Sequence, residues 1–478
     1  MTGSTAISSW VMAVATLLAS AASFAAAPAL ITQRRLDAVI APLSHADHPG
    51  CAVGVDHDRR RVQRAFGAAD LEHGIANSVD TIFEAGSVSK QFTAAAVLSL
   101  VQDGAIALTD DVRKYVPELP DYGTVITIDH LLNHTSGLRD WGTISAMAGW
   151  PRGTRAYEPA DVVAIAARQR SLNFAPGAQY SYSNTGYNLL AEIVARVSGK
   201  SLATLTRERF FVPLGMRDTQ WRDDFRRIVP RRAVAYSHAD TGFRQAMPFE
   251  NAYGNGGLLT TIADLLRWNR GLDEQALGPV VSKWLGARAQ LNDGQSIAYA
   301  RGLFVDQYRG TAEIAHSGST GGYRAWLGRY PEQRLSIAVL CNDARANPTE
   351  IGHRIADLLP LLAAAPSPES KSPPAQVPAP ADKAPLVGRF ASDEVGVAYD
   401  IAEREGRLMI SLAGRPSATS ELTPSGADTF AAPLGGERMG VRFLRDPGGK
   451  VNEISLSADR AFDVRFQRVR ELAGAAAP

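Results

Sequence analysis

The chain has 478 residues, 45% of them hydrophobic and 21% charged, with a net charge of +1. That length holds two or three domains. The near-neutral balance leaves no electrostatic footprint for wrapping nucleic acid, and the composition excludes a collagen-like fibre and an acidic disordered chain.

Residues 10–24 (WVMAVATLLASAASF) form an uncharged apolar run. It is shorter than the ~20 residues a helix needs to cross a bilayer. Small residues follow at Ala25-Ala26-Ala27, so residues 1–27 read as a secretory signal, although no Lys or Arg precedes the run. An exported product, periplasmic or secreted, with no membrane span after signal removal, is the expectation.

Residues 52–55 and 335–340 have the continuous apolar character of buried strands. Residues 91–102, 186–198 and 261–269 carry helical patterning, and Thr261 with Asp264 forms a capping-box signature. Strands at both ends with helices between predict an α/β (α+β) architecture in which one sheet is closed by both ends of the segment. Seven of the 20 residues from Pro366 to Pro385 are proline, a composition that gives an extended linker. It separates a body over 28–362 from a tail over 386–470, with the linker at 363–385. In the tail, apolar residues alternate at Val397, Tyr399 and Ile401, at Leu408, Ile410 and Leu412, at Val441 and Phe443, and at Phe462, Val464 and Phe466. Turn signals such as Asp446-Pro447-Gly448-Gly449 lie between them. This is the pattern of a small all-β barrel. The two cysteines, Cys51 and Cys341, are too few for a disulfide scaffold or a cysteine zinc site; they read first as small buried hydrophobes, with one bridge as the alternative.

The chain has no H-E-x-x-H and no G-x-S-x-G, and Gly199-Lys200-Ser201 lacks the first glycine of a phosphate loop because position 194 is Val. The positive signal is Ser87-Val88-Ser89-Lys90. Residues three apart share a helical face, so an ammonium can sit beside a hydroxyl and, once its pKa is lowered, take that proton. With 33 serines and seven lysines, about half a chance occurrence of S-x-x-K is expected in a chain of this length. Alone, then, the motif reads as a capping serine and a solvated lysine. The second element is Tyr182-Ser183-Asn184: a buried tyrosine can relay a proton, and the amide can orient both lysine and substrate. Tyr253-Gly254-Asn255 repeats the spacing in a glycine-rich stretch that reads as a loop. The third element is His316-Ser317-Gly318, with Ser319 next. On an edge strand lining a cleft, its backbone can bind an extended substrate, with the amides of Ser87 and Ser319 forming an oxyanion hole.

The three elements in this order resemble the signature of the serine β-lactamase and penicillin-binding protein superfamily. They are most similar to its class C β-lactamase-like branch, which includes D-alanyl-D-alanine carboxypeptidases, D-aminopeptidases and esterases. FEAGSVSKQFT, ITIDHLLNHTSGL, YSNTGYNLL, FVPLGMRDT, GNGGLLTTIADLLRW and HSGSTGGYRAWL extend the resemblance over about residues 30–360. The tail resembles the lipocalin-like domains that follow such hydrolases. The resemblance implies a five-stranded antiparallel sheet flanked by helices, with a helical subdomain. Cys51 and Cys341 would then lie on neighbouring strands. It also implies a serine hydrolase without cofactor or metal, acting on a small peptide, amide or ester. Ser87 would be the nucleophile, Lys90 and Tyr182 the proton carriers, and Asn184, His316, Ser317, Gly318 and Ser319 the substrate and oxyanion residues. The third element departs from the family pattern, which begins with Lys. An imidazole at 316 pulls less on a carboxylate and shifts the expectation from β-lactam hydrolysis toward peptidase or esterase action. Ser317 could touch such a carboxylate and Arg324 could supply charge. A true β-lactamase and a non-catalytic sensor or scaffold are the alternatives.

Overall fold

The computed structural model describes residues 30–359, 383–415 and 418–469. The signal expected at 1–27 and nearly all of the linker expected at 363–385 lie outside the described residues. No helix among the described residues is long and apolar enough to cross a membrane.

The body is built on one antiparallel sheet in which strand Cys51–His57 pairs with strand Leu335–Cys341, so both ends of the segment do meet in it. Both strands are buried along their whole length. Their alternate residues serve two different cores. Ala52, Ala338 and Leu340 face the large helical layer, while Val53, Val55, Ile337 and Val339 face helices Gln33–Ile40 and Pro348–Ala356. A sheet covered on both faces needs such unbroken apolar runs. The sheet has eight strands rather than five, because three short strands, Arg288–Gln290, Ser296–Ala300 and Leu303–Tyr308, extend one edge. They are short and lack a regular alternation of apolar and polar residues, so they left no signal. Cys51 and Cys341 are paired across the strands and joined in a disulfide, so the reading as two free hydrophobes is replaced by the bridge.

Helix Lys90–Gln102 is buried on nearly every side, as its Phe-Ala-Leu-Val composition requires. Helix Asn184–Ser198 ends at Gly199, whose left-handed φ of 68° closes it without steric cost. Helix Ile262–Asp273 starts where expected, but only half of the capping box forms. Thr261 accepts from the Asp264 amide, whereas the Asp264 carboxylate accepts from Thr219, the Asp218 amide and Arg267 instead.

The tail forms a nearly closed nine-stranded antiparallel sheet running from Gly388 to Arg468. Tyr399, Ile401, Leu408, Ile410, Leu412, Val441, Phe443, Val464 and Phe466 fill its interior, and Val397 packs against them half-buried. Phe462 does not join them. The register slips at Leu456/Ala458 before the last turn, and Ala461 takes the inward position. The interior continues without a break into the body through Trp141, Ile144 and Met147 of helix Trp141–Met147 and Val162 and Ile165 of helix Pro159–Ala167. Tyr399 Oη donates to the Met147 carbonyl at 2.7 Å, and Arg139 pairs with Glu394 at 2.6 Å.

Candidate active site

Ser87 lies in a 3-10 turn, Gly86–Ser89, immediately before helix Lys90–Gln102, rather than on the α-helix itself. In a 3-10 turn residues three apart eclipse, which aims Lys90 back at Ser87 more directly than an α-helix would. The Lys90 Nζ donates to Ser87 Oγ at 3.2 Å, to Asn184 Oδ1 at 2.9 Å and to the Asn255 carbonyl at 2.6 Å. Three donors thus meet three acceptors, none of them a carboxylate. Burial, followed by the positive charge of Arg152, pushes the Lys90 pKa well below the usual lysine range. Asn255 belongs to the second Tyr-x-Asn, the stretch read as a loop. It reaches the site through its backbone, and its side chain accepts from Asn188 at 2.9 Å.

Tyr182 places its ring 4.8 Å from the Lys90 Nζ. Its hydroxyl is sealed from water with no partner at hydrogen-bonding geometry. Burial pushes its pKa up, while the adjacent Ser87 and then the Arg460 guanidinium pull the other way. Asn184 is fixed at the head of its helix by its own amide, which donates to Asp140 Oδ2 at 2.6 Å.

The strand carrying the third element, Thr311–Thr320, is not an edge strand over its whole length. Residues 311–315 pair with Leu303–Tyr308, but that pairing stops at Ala315. Residues 316–320 are paired only with Tyr323–Tyr330, which leaves their other edge beside the Ser87 turn. The approach there is close enough to demand glycine. A Cβ on Gly318 would sit 2.0 Å from the Ala85 carbonyl oxygen and 3.0 Å from Ser87 N. One on Gly86, whose φ is already +52°, would sit 2.5 Å from Ser319 N. The two amides proposed for an oxyanion are therefore brought together. Ser87, Tyr182, Asn184, His316, Ser317, Gly318 and Ser319 all line one cleft of about 600 Å³, with Lys90 buried behind it.

His316 is buried beneath the cleft in a chain of rings that sequence reasoning did not find. The Ser183 amide donates to His134 Nδ1 at 3.2 Å, so His134 carries its proton on Nε2. That N–H reaches Tyr299 Oη at 3.1 Å, and the tyrosine in turn faces His316 Nε2 at 3.4 Å. His316 Nδ1–H then donates to the Ser317 carbonyl at 2.6 Å. With both imidazoles neutral, every bond in this series is satisfied. Burial, followed by the charge of Lys90, pushes the His316 pKa down to about 3. An unfolded chain binds this proton near pH 6.5 and the folded one does not. Stability is therefore lost as pH falls from about 6.5 toward about 3. We expect the melting temperature to drop between pH 7 and pH 4, and His316→Gln to flatten that drop; an unchanged slope in the variant would contradict the assignment.

Residues 36–361 match the family described as Beta-lactamase, and the chain belongs to that family. Among curated relatives, a D-aminopeptidase of Gluconobacter oxydans is 30% identical over 65% of this chain and 59% of its own length. Penicillin-binding protein 4* of Bacillus subtilis is 31% identical over 58% of this chain and 64% of its own length. The chain thus spans about three fifths of the length of the curated relatives it matches. Among solved structures, the octameric penicillin-binding protein homologue of Pyrococcus abyssi superposes with a TM-score of 0.58 at 23% identity, over 91% of this chain and all of that one. That likeness extends the shared fold through the tail.

Proposed function

We propose that the protein is a serine hydrolase that cleaves amide or ester bonds of small substrates through an acyl-enzyme on Ser87, as a D-amino-acid peptidase, carboxypeptidase or esterase. The observation that carries this reading is the Lys90 amine: buried, 3.2 Å from Ser87 Oγ, and without a carboxylate to hold its proton. A neutral amine keeps two N–H groups for Asn184 Oδ1 and the Asn255 carbonyl. Its lone pair then turns to Ser87 and takes the hydroxyl proton as Oγ attacks the carbonyl carbon. The Ser87 and Ser319 amides hold the oxyanion. Lys90 and Tyr182 pass the proton to the leaving group as its bond to the carbonyl carbon breaks, acting as one coupled pair. Water, activated by the same pair, releases the acyl group. Asn184 and the free edge at 316–319 align an extended substrate.

The Cys51–Cys341 bridge and the apolar run at 10–24 support an exported protein, periplasmic or secreted. The neutral His316 supports peptidase or esterase action over β-lactam hydrolysis. The test is intact-protein mass spectrometry after a fluorophosphonate probe, with peptide mapping. A single adduct on Ser87 is expected; a folded protein that takes up no probe would refute the reading and favour a binding role.

A further inference from the structure

If His316 is neutral, the third element offers a substrate no fixed positive charge. The cleft nevertheless contains three arginines and no carboxylate among its lining residues. One is paired with an acid and a second is tied to backbone carbonyls. Arg152 forms a two-point contact with Glu250. Arg324 Nη1 donates to the Gly321 and Tyr323 carbonyls at 2.9 and 2.8 Å. The third, Arg460, comes from the tail.

Arg460 sits in the turn between strands Val451–Ala458 and Ala461–Arg468. The backbone of that turn is clamped to the body. The Asp140 amide donates to the Arg460 carbonyl at 2.9 Å and Asn173 Nδ2 donates to it at 3.2 Å, while Asn173 Oδ1 accepts from the Phe462 amide at 2.7 Å. The side chain is treated in the opposite way. Among the described residues its guanidinium makes no hydrogen bond and no ion pair, and it lies 4.9 Å over the face of Tyr182. Asp140, Glu437 and Asp459 line a second chamber that Arg460 also borders. None of them forms an ion pair with it, although its charge acts on the Glu437 carboxylate. The Asp140 carboxylate is already filled by the amides of Gly142, Thr143 and Asn184. A long cation on a pinned turn, stacked on a tyrosine and in no ion pair with the acids around it, keeps its hydrogen-bond donors for an anion.

We propose that Arg460 binds a carboxylate on the leaving group of the substrate, so that the tail sheet supplies the charge selectivity that His316 cannot. The leaving-group side follows from Tyr182, the proton carrier on whose ring the guanidinium rests; this inference therefore rests on the Ser87 reading above. It makes the protein selective for bonds whose departing half bears an acid, as at the carboxyl end of a peptide, rather than for substrates chosen by a free ammonium group.

The test uses the full chain and two thioesters, N-benzoylglycyl-thioglycolate and its methyl ester, which differ only in the charge of the leaving thiol. Thiol release gives kcat/KM for each. The wild-type protein is expected to favour the carboxylate by at least tenfold. Arg460→Ala should collapse that ratio toward one, mainly through KM, and Arg460→Lys should restore most of it. Because the readout is a ratio, a general loss of activity does not imitate the result. A wild-type ratio near one, or an Arg460→Ala ratio equal to wild type, overturns the inference while fluorophosphonate labelling of Ser87 keeps the hydrolase reading. No thiol release from either ester together with no labelling overturns the hydrolase reading, and this inference falls with it.

Discussion

Ser87→Ala is expected to lower kcat by about 10⁴-fold or more on any ester it turns over, with the melting temperature held within a few degrees. The size follows from chemistry: the variant has no atom to form the acyl bond, and only binding and the oxyanion amides remain. The fold should survive because Ser87 contributes one of three acceptors to Lys90, while Asn184 and Asn255 keep theirs. Lys90→Met should cost a similar factor, since base and nucleophile act as one unit, and the double variant should be no worse than either single. The two differ in stability. A buried lysine whose folded pKa is lowered binds fewer protons folded than unfolded, so stability rises with pH between that lowered value and the ordinary lysine range. Lys90→Met removes the titrating group and should flatten this rise. Thermal melts from pH 6 to 10 beside kcat measurements check both halves. Turnover within tenfold of wild type in Ser87→Ala would exclude the mechanism.

Arg222→Leu is expected to cost about 3–5 kcal/mol of stability, the usual result of stranding a buried charge. Arg222 and Glu84 are 1% and 0% exposed and meet through two hydrogen bonds of 2.9 and 3.1 Å. Arg232 approaches the same carboxylate at 3.4 Å, and Glu250 lies 3.9 Å from Arg222. Glu84 ends the short strand Phe83–Glu84 that feeds directly into the Ser87 turn, and Arg222 donates its amide to Gly257, next to the residues that hold Lys90. Loss of the pair should therefore also slow labelling of Ser87. The companion variant Glu84→Leu/Arg222→Leu removes both charges and should recover much of the stability. Urea unfolding of the three proteins reads this out; a single variant as stable as wild type would show that the pair is not the clamp its burial implies.

Local chemistry made much of this architecture readable in advance. The unbroken apolar strands, the Ala-Leu-Phe helix behind Ser87 and the helical patterning at 186–198 each state their conformation within a few residues. The three site motifs are equally local, which is why Ser87, Lys90, Tyr182, Asn184 and His316 could be named before their distances were known. What escaped is long-range. The Asn255 carbonyl acts through its backbone, so no side chain announces it. His134 and Tyr299 sit 165 residues apart and become partners only when the body folds. Arg460 lies in a turn of the tail and gains meaning from Asn173 and Tyr182, far away in the chain. Phe462 leaves the inward row that alternation assigns it because a one-residue slip in register reverses which side chains face inward, and alternation alone cannot reveal a slip. Cysteine counting left the bridge open, since pairing is a property of register and not of composition.

The unbroken apolar interior shared by the tail sheet and helix Trp141–Met147 has a bearing on how the molecule can be dissected. Gly149 and Gly435 are packed so tightly across that boundary that an added methyl would collide with Leu412 and with the Ala146 carbonyl. Severing the chain in its proline-rich stretch would strip Trp141, Ile144 and Met147 of their cover and present a sticky patch to solvent. A truncated protein that precipitates or loses activity would thus report an injured surface, not a missing functional group. Point changes at the turn bearing Arg460 are the cleaner instrument, because they leave that seam closed.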